Sequence, residues 1–195
     1  MKILKKHRNL LIGVSIGDGY INKNGYIDIW HSPKQKELVD YKYNLLKPFC
    51  KIKPYTIMRG GFPSYGFRTQ SFPFIKLLRR ILYKKQGKTL SRQILNRLGV
   101  REIAIWWMDD GSMSKKINKN TGNLRAAVFT LCTCMSKSQN QIIINWFKEK
   151  YDIKFGQRKM KNSYALICGT KEGRKLSKLL NPYIISSMKY KILIE

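Results

Sequence analysis

Two short stretches of this chain are variants of one pattern, and they restrict its fold more than any other feature. Leu11-Ile-Gly-Val-Ser-Ile-Gly-Asp-Gly19 and Ile103-Ala-Ile-Trp-Trp-Met-Asp-Asp-Gly111 are apolar, helix-like runs that stop in Asp-Gly. Each precedes a basic, strand-like segment of similar size. The chain therefore reads as two copies of one unit, with Asp18 and Asp110 meeting at a shared centre. An acid at a helix C-terminus faces the partial negative charge of the helix end. Two such ends side by side would add mutual repulsion. The chain holds only 11 acids, and Asp18, Asp109 and Asp110 are among them. A bound cation relieves both penalties, and paired carboxylates with few other ligands suit a hard ion such as Mg²⁺.

The glycines refine this picture. Gly19 and Gly111 are expected to stop the helices in the left-handed conformation. Gly13 and Gly17 share a helix face and predict close approach of a partner helix. Asp109 is expected to point away from Asp110, because adjacent helical positions do not share a face.

Charge defines the partner. Lys and Arg total 39 and the net charge is +28, spread along the whole of the 195 residues. Such an excess points to a large polyanion, most simply nucleic acid. No basic amphipathic helix dominates and no apolar run approaches membrane-spanning length, which disfavours a membrane partner. The basic start, Met1 to Arg8, leads into a run broken by Gly13, Gly17 and Asp18, a poor signal peptide. Cys50, Cys132, Cys134 and Cys168 form no Cys-x-x-Cys pair, and His7 and His31 are the two histidines. Zinc is disfavoured, and free thiols in a reducing compartment are expected.

Periodicity orders the rest. The first motif helix is predicted over residues 8–18. Asn24-Gly25 marks a hairpin turn, followed by strand alternation through Ile27 and Ile29. A helix opens at Pro33 with Leu38, Tyr41 and Leu45 on one face. A hairpin over 51–70 turns at Gly60-Gly61, with Pro54 marking an edge or bulge. A helix over 73–83 ends at the connector Tyr83–Leu90, where the halves divide: 1–87 and 88–195. A short helix over 91–97 precedes the second motif helix, 101–110. Strands then flank a polar loop over 117–123. Ser136 caps a helix to about Lys150, a hairpin turns at Lys161-Asn162, and residues 171–180 are helical.

Each half is thus αββαββα, an α+β fold with pseudo-symmetric four-stranded antiparallel sheets. Helices cover one face of each sheet and leave the other for a partner. On the first sheet the candidates are Asn22, Lys23, Asn24, Tyr26, Trp30, Lys53, Arg59, Arg68 and Gln70. On the second they are Lys119, Arg125, Gln157, Lys159 and Asn162. Arg and Lys suit guanine edges and phosphates, Asn and Gln suit adenine, and strands can lie in a major groove.

The two motifs resemble the signature of the LAGLIDADG homing endonucleases, of the single-chain type with two motifs. Leu11–Gly19 and Ile103–Gly111 fit the pattern throughout, with Asp18 and Asp110 in the acidic place. Trp107-Met-Asp-Asp-Gly111, Lys88-Thr-Leu90 and Asn181–Lys191 are similar to stretches of intron-encoded members. The resemblance covers nearly the whole chain. It implies Mg²⁺-dependent cleavage, with Mn²⁺ as an expected substitute, of both strands of a long asymmetric double-stranded DNA site, leaving short 3′ overhangs. It implies that Asp18 and Asp110 hold the metals, with Gly17 and Asp109 as further metal-site residues. Lys88 and Lys191 would assist through water networks or charge neutralisation.

The second motif departs from the pattern in carrying bulky Ile105, Trp106 and Trp107, so an asymmetric helix contact with Gly13 and Gly17 opposite larger side chains is expected. With no histidine near either motif in sequence, the expected nucleophile is metal-activated water, without a side-chain base. The alternatives are an RNA-binding intron maturase and a non-cleaving DNA-binding protein of the same fold. A monomer is expected, in an organelle or in a bacterial or phage-infected cytoplasm, and an intein context is disfavoured.

Overall fold

A computed structural model describes residues 4–84 and 87–194. The first half runs α1 (Lys5–Ile16), β1 (Tyr20–Ile21), β2 (Ile27–His31), α2 (Lys36–Leu46), β3 (Tyr55–Arg59), β4 (Phe62–Arg68) and α3 (Pro73–Leu82). A two-stranded ribbon, β5 (Tyr83–Lys84) with β6 (Gly87–Lys88), and the short α4 (Arg92–Leu95) form the connection. The second half repeats the plan as α5 (Val100–Asp110), β7 (Gly111–Ile117), β8 (Leu124–Met135), α6 (Lys137–Tyr151), β9 (Gly156–Lys159), β10 (Tyr164–Cys168) and α7 (Thr170–Leu180). The predicted αββαββα repeat is present, and the tail beyond α7 winds into 3₁₀ turns over 181–183 and 186–191.

The two sheets have matching strand orders, β1-β2-β4-β3 and β7-β8-β10-β9, antiparallel throughout. Alternation assigns their faces. In the first, Ile27, Ile29 and Phe67 turn to the helices and are fully buried. Trp30 and Arg68 take the opposite face, where the Arg59 guanidinium lies 5.4 Å from the Trp30 ring. In the second, Ala127, Phe129 and Leu131 turn inward. The hairpin turns follow their sequences: Gly25, Gly60 and Gly61 all adopt positive φ.

Two local expectations are corrected. Pro54 precedes β3 instead of interrupting it. The buried face of α2 is Leu38, Val39, Lys42 and Leu46, so the helix is rotated from the predicted Leu38–Tyr41–Leu45 face, and a lysine enters the interior.

α1 packs on α5, and this contact joins the halves. A Cβ on Gly13 would sit 2.7 Å from Cβ of Glu102, and one on Gly17 would sit 2.9 Å from Cβ of Asp109. Close approach at Gly13 and Gly17 is therefore as predicted, but the opposing residues are Glu102 and Asp109. Trp107 instead packs on Phe129 in its own half, and its indole Nε1 donates to the Lys191 carbonyl. Glu102 also accepts the Gly99 N–H at 2.8 Å, closing the first turn of α5.

Candidate active site

α1 ends at Ile16, so Asp18 lies just beyond the helix, whereas Asp110 is the last residue of α5. Neither following glycine is left-handed, contrary to expectation: positive φ occurs at other glycines. Gly19 and Gly111 are small for another reason. A Cβ on Gly19 would approach the Val14 carbonyl oxygen to 2.5 Å, and one on Gly111 would press on the Trp107 ring and carbonyl oxygen. Each chain turns back across its own last helical turn, where a side chain does not fit.

The acids differ in surroundings. The Asp18 side chain is 46% exposed. Asp110 is largely buried, and its Oδ2 accepts a hydrogen bond from Trp106 Nε1 at 3.0 Å. Burial, then the neighbouring charges of Asp109 and Asp18, push the Asp110 carboxyl up to about 7, against the opposing pull of Lys88 and the Trp106 bond. The acids of the two motifs thus act on one another, as the repeat implied.

A lysine closes each helix end. Lys88 Nζ donates to the carbonyls of Gly17 at 2.6 Å and Gly19 at 3.3 Å. Lys191 Nζ donates to the carbonyls of Met108 at 2.5 Å and Asp109 at 3.2 Å. A cation on the last carbonyls opposes the helix dipole. Burial lowers the pKa of both lysines, while Asp18, Asp109 and Asp110 raise it.

Asp109 does not turn away from the centre as expected. Its side chain is fully buried; one oxygen accepts the Asp18 N–H at 3.0 Å and the other pairs with Lys42 Nζ. Lys42 is itself fully buried, and its Nζ also meets His31 Nε2 at 3.1 Å. His31 Nδ1 lies 2.8 Å from Gln35 Oε1 and 3.7 Å from Asp18 Oδ2. A histidine is therefore beside the first motif, which sequence distance concealed. Because an ammonium only donates, Nε2 must accept and Nδ1 must carry the proton. Burial, then Lys42, lower the His31 pKa and hold the ring neutral. With Nε2 occupied and Nδ1 protonated, His31 has no free lone pair with which to act as a base.

Ligand atoms of Asp18, His31 and Asp109 lie within 4.8 Å of one another. The Lys42 ammonium already supplies a cation to two of these three residues. The donors left for a further hard cation are the exposed Asp18 carboxylate and the Asp110 carboxylate, whose pKa is raised first by burial and then by the charges of Asp109 and Asp18.

The proposed partner-facing residues divide. Trp30 and Arg59 share the open face of the first sheet, as does Arg68, whose guanidinium lies 4.3 Å from the Tyr26 ring. Arg68 and Gln70 border a cleft of about 490 Å³ with Lys51 and Tyr55. Asn22, Lys23 and Asn24 form the β1–β2 turn, where Asn22 Oδ1 accepts the Asn24 N–H. Lys53, Lys119, Arg125, Lys159 and Asn162 are exposed. Gln157 is half-buried, and its amide donates to Gln141 on α6, on the helix side. Its neighbour Arg158 alternates to the other face and is exposed. Arg158, Lys42 and His31 were not among the candidates; the phase of β9 is the sequence signal for Arg158, whereas Lys42 and His31 reach the centre only through packing.

The sequence profile of the LAGLIDADG DNA endonuclease family matches residues 8–176. The chain belongs to this family. It is 28% identical over 201 residues to a probable intron-encoded endonuclease 1 of Wickerhamomyces canadensis, covering 98% of this chain and 85% of that protein. It is 30% identical over 141 residues to a probable intron-encoded DNA endonuclease 3 of Mycosarcoma maydis, covering 69% and 97%. The fold matches that of the homing endonuclease I-WcaI, solved bound to its DNA recognition sequence, with a TM-score of 0.83 at 22% identity, over 100% of this chain and 89% of that one. Among the described residues no helix is long and apolar enough to cross a membrane.

Proposed function

We propose that the protein is a site-specific endonuclease that makes a staggered cut through both strands of a long, asymmetric DNA duplex, and that Asp18 and Asp110 hold the catalytic Mg²⁺, with Mn²⁺ able to replace it. The observation that carries this reading is the pair of motif acids at the junction of two matching basic sheets, each beside a lysine on its own helix end. Held by Asp18 and Asp110, Mg²⁺ would supply Lewis-acid stabilisation to the phosphodiester and lower the pKa of bound water. Trp106 orients the Asp110 carboxylate. The Lys88 and Lys191 ammonium groups stand close enough to the acids to offset charge that builds on a phosphate. The open sheet faces, through Trp30, Arg59, Arg68 and Arg158, hold and read the duplex.

The two-unit division fits a single chain acting as a monomer on an asymmetric site. Lys88 caps α1, so we assign it to the first unit and set the division just after it. The intron-encoded relatives support an intron-borne gene and an organellar site of action.

The test is selection of bound duplexes in Ca²⁺ from a randomised library, followed by Mg²⁺. Discrete double-strand cuts are expected, absent from Asp18→Asn and Asp110→Asn although both still bind. Full cutting by either variant would overturn the assignment of the acids. Salt-sensitive binding without cutting in Mg²⁺ or Mn²⁺ would overturn the nuclease reading and make intron RNA the next ligand to test.

A further inference from the structure

We infer that Asp109 and Lys42 are positioning residues: Asp109 fixes Asp18 by accepting its backbone N–H, and Lys42 holds Asp109 in place. The inference rests on the reading of Asp18 as a working acid. Asp109 occupies the position in the second motif that Gly17 holds in the first, so the two halves are unlike at this point. Gly17 leaves the space that the Asp109 side chain fills, since a Cβ there would press on it. Through that space Asp109 reaches out of α5 into the other half.

Its two oxygens are both committed. One takes the Asp18 N–H at 3.0 Å and the other takes Lys42 Nζ. The carboxylate is fully buried, so it has no face open to the groove or to a further cation. Lys42, rising from α2, neutralises it, and His31 accepts a second Lys42 proton. A buried charge left without its partner is strongly unfavourable. The pair therefore has a preferred arrangement that defines where the chain leaves α1, and with it the place of the Asp18 carboxylate. Asp110 needs no such brace, because it sits on the helix itself and is held by Trp106.

The substitution logic separates this role from metal ligation. In Asp109→Asn one oxygen must serve two donors, while the amide NH₂ faces Lys42 or the Asp18 N–H. In Lys42→Met with Asp109→Asn the NH₂ faces a thioether, and the amide oxygen is free for the Asp18 N–H. Single-turnover cleavage of prebound DNA is expected to fall about 10²-fold in Asp109→Asn, the scale of a misplacement of about 1 Å. It is expected to recover most of that loss in the double variant. DNA affinity in Ca²⁺ is expected to match the wild type in both, and Mn²⁺ affinity is expected to follow the cutting rate, weakened in Asp109→Asn and restored in the double variant.

If the double variant cuts as slowly as Asp109→Asn and binds Mn²⁺ more weakly, Asp109 is a ligand and the inference fails. Hydrogen exchange at the Asp18 amide gives a reading independent of cutting. Protection in the wild type and the double variant, with loss in Asp109→Asn, supports the brace; equal exchange in all three refutes it. If the wild type cuts no DNA, the nuclease reading fails, while the amide measurement still decides the brace.

Discussion

The Asp110 carboxyl shows how one buried side chain links the site to stability. Its pKa in the fold, about 7, stands above the ordinary carboxylate value because of burial and the adjacent acids. The folded state therefore binds this proton more tightly than the unfolded chain. The stabilising contribution of the protonated form is complete below the unfolded pKa of about 4 and is lost as pH rises through about 7. Each unit of difference corresponds to about 1.4 kcal/mol. Asp110→Asn removes this titration. Without divalent ions its melting temperature is expected to exceed that of the wild type by a margin that widens from about pH 4 to pH 7, then levels off. Saturating Mg²⁺ should narrow the margin at pH 8. A margin independent of pH would show that Asp110 is not the strained group.

At the scale of elements, the α1–α5 junction depends on a side chain being absent. A Cβ at Gly13 would meet Glu102, which is itself anchored to the Gly99 N–H, so the helices would have to part. Gly13→Ala is expected to destabilise by about 1–3 kcal/mol, the range for overpacking. It should also slow cutting, because the acids belong to opposite sides of that junction. Gly156→Ala, where a Cβ would make only ordinary contact with Ile167 at 3.8 Å, serves as the control and should differ little in denaturant midpoint.

On the first sheet Arg68 is held from the β2 side. Its Nε donates to Asp28 on β2 at 2.7 Å, and Tyr26 supports its face. The two terminal nitrogens of a guanidinium held in this way match the O6/N7 edge of guanine. Arg68→Ala should lose preference for one guanine in selected sites, by about 1–3 kcal/mol. A uniform loss across sequences, with a shallower salt dependence, would place Arg68 on a phosphate instead.

For the whole molecule, the net charge of +28 surrounds a small acidic centre. On the proposed reading the basic field recruits the duplex and the acids act within it. Affinity should fall steeply with salt, by about 10³-fold or more between roughly 50 and 200 mM, if six or more phosphates are neutralised. Filter binding across that range checks it. Removal of divalent ions should abolish cutting while leaving this salt dependence in place.

The doubled Asp-Gly motif, the strand alternation and the glycine turns are local signals. They specified two αββαββα units, the helices that meet and the acids they carry, because periodicity and turn chemistry act over a few residues. The resemblance of the same motifs pointed to the family that the profile match then established. Whatever depended on distant residues meeting was hidden. His31 lies beside Asp18 only because β2 runs under α2, and Lys42 is interior only because that helix is rotated by about one residue from its most apolar reading. Asp109 turns inward because Gly17, far from it in sequence, leaves room, and because a buried lysine waits there. A buried ion pair has no sequence period, and its members are recognisable only once packing has removed the water around them.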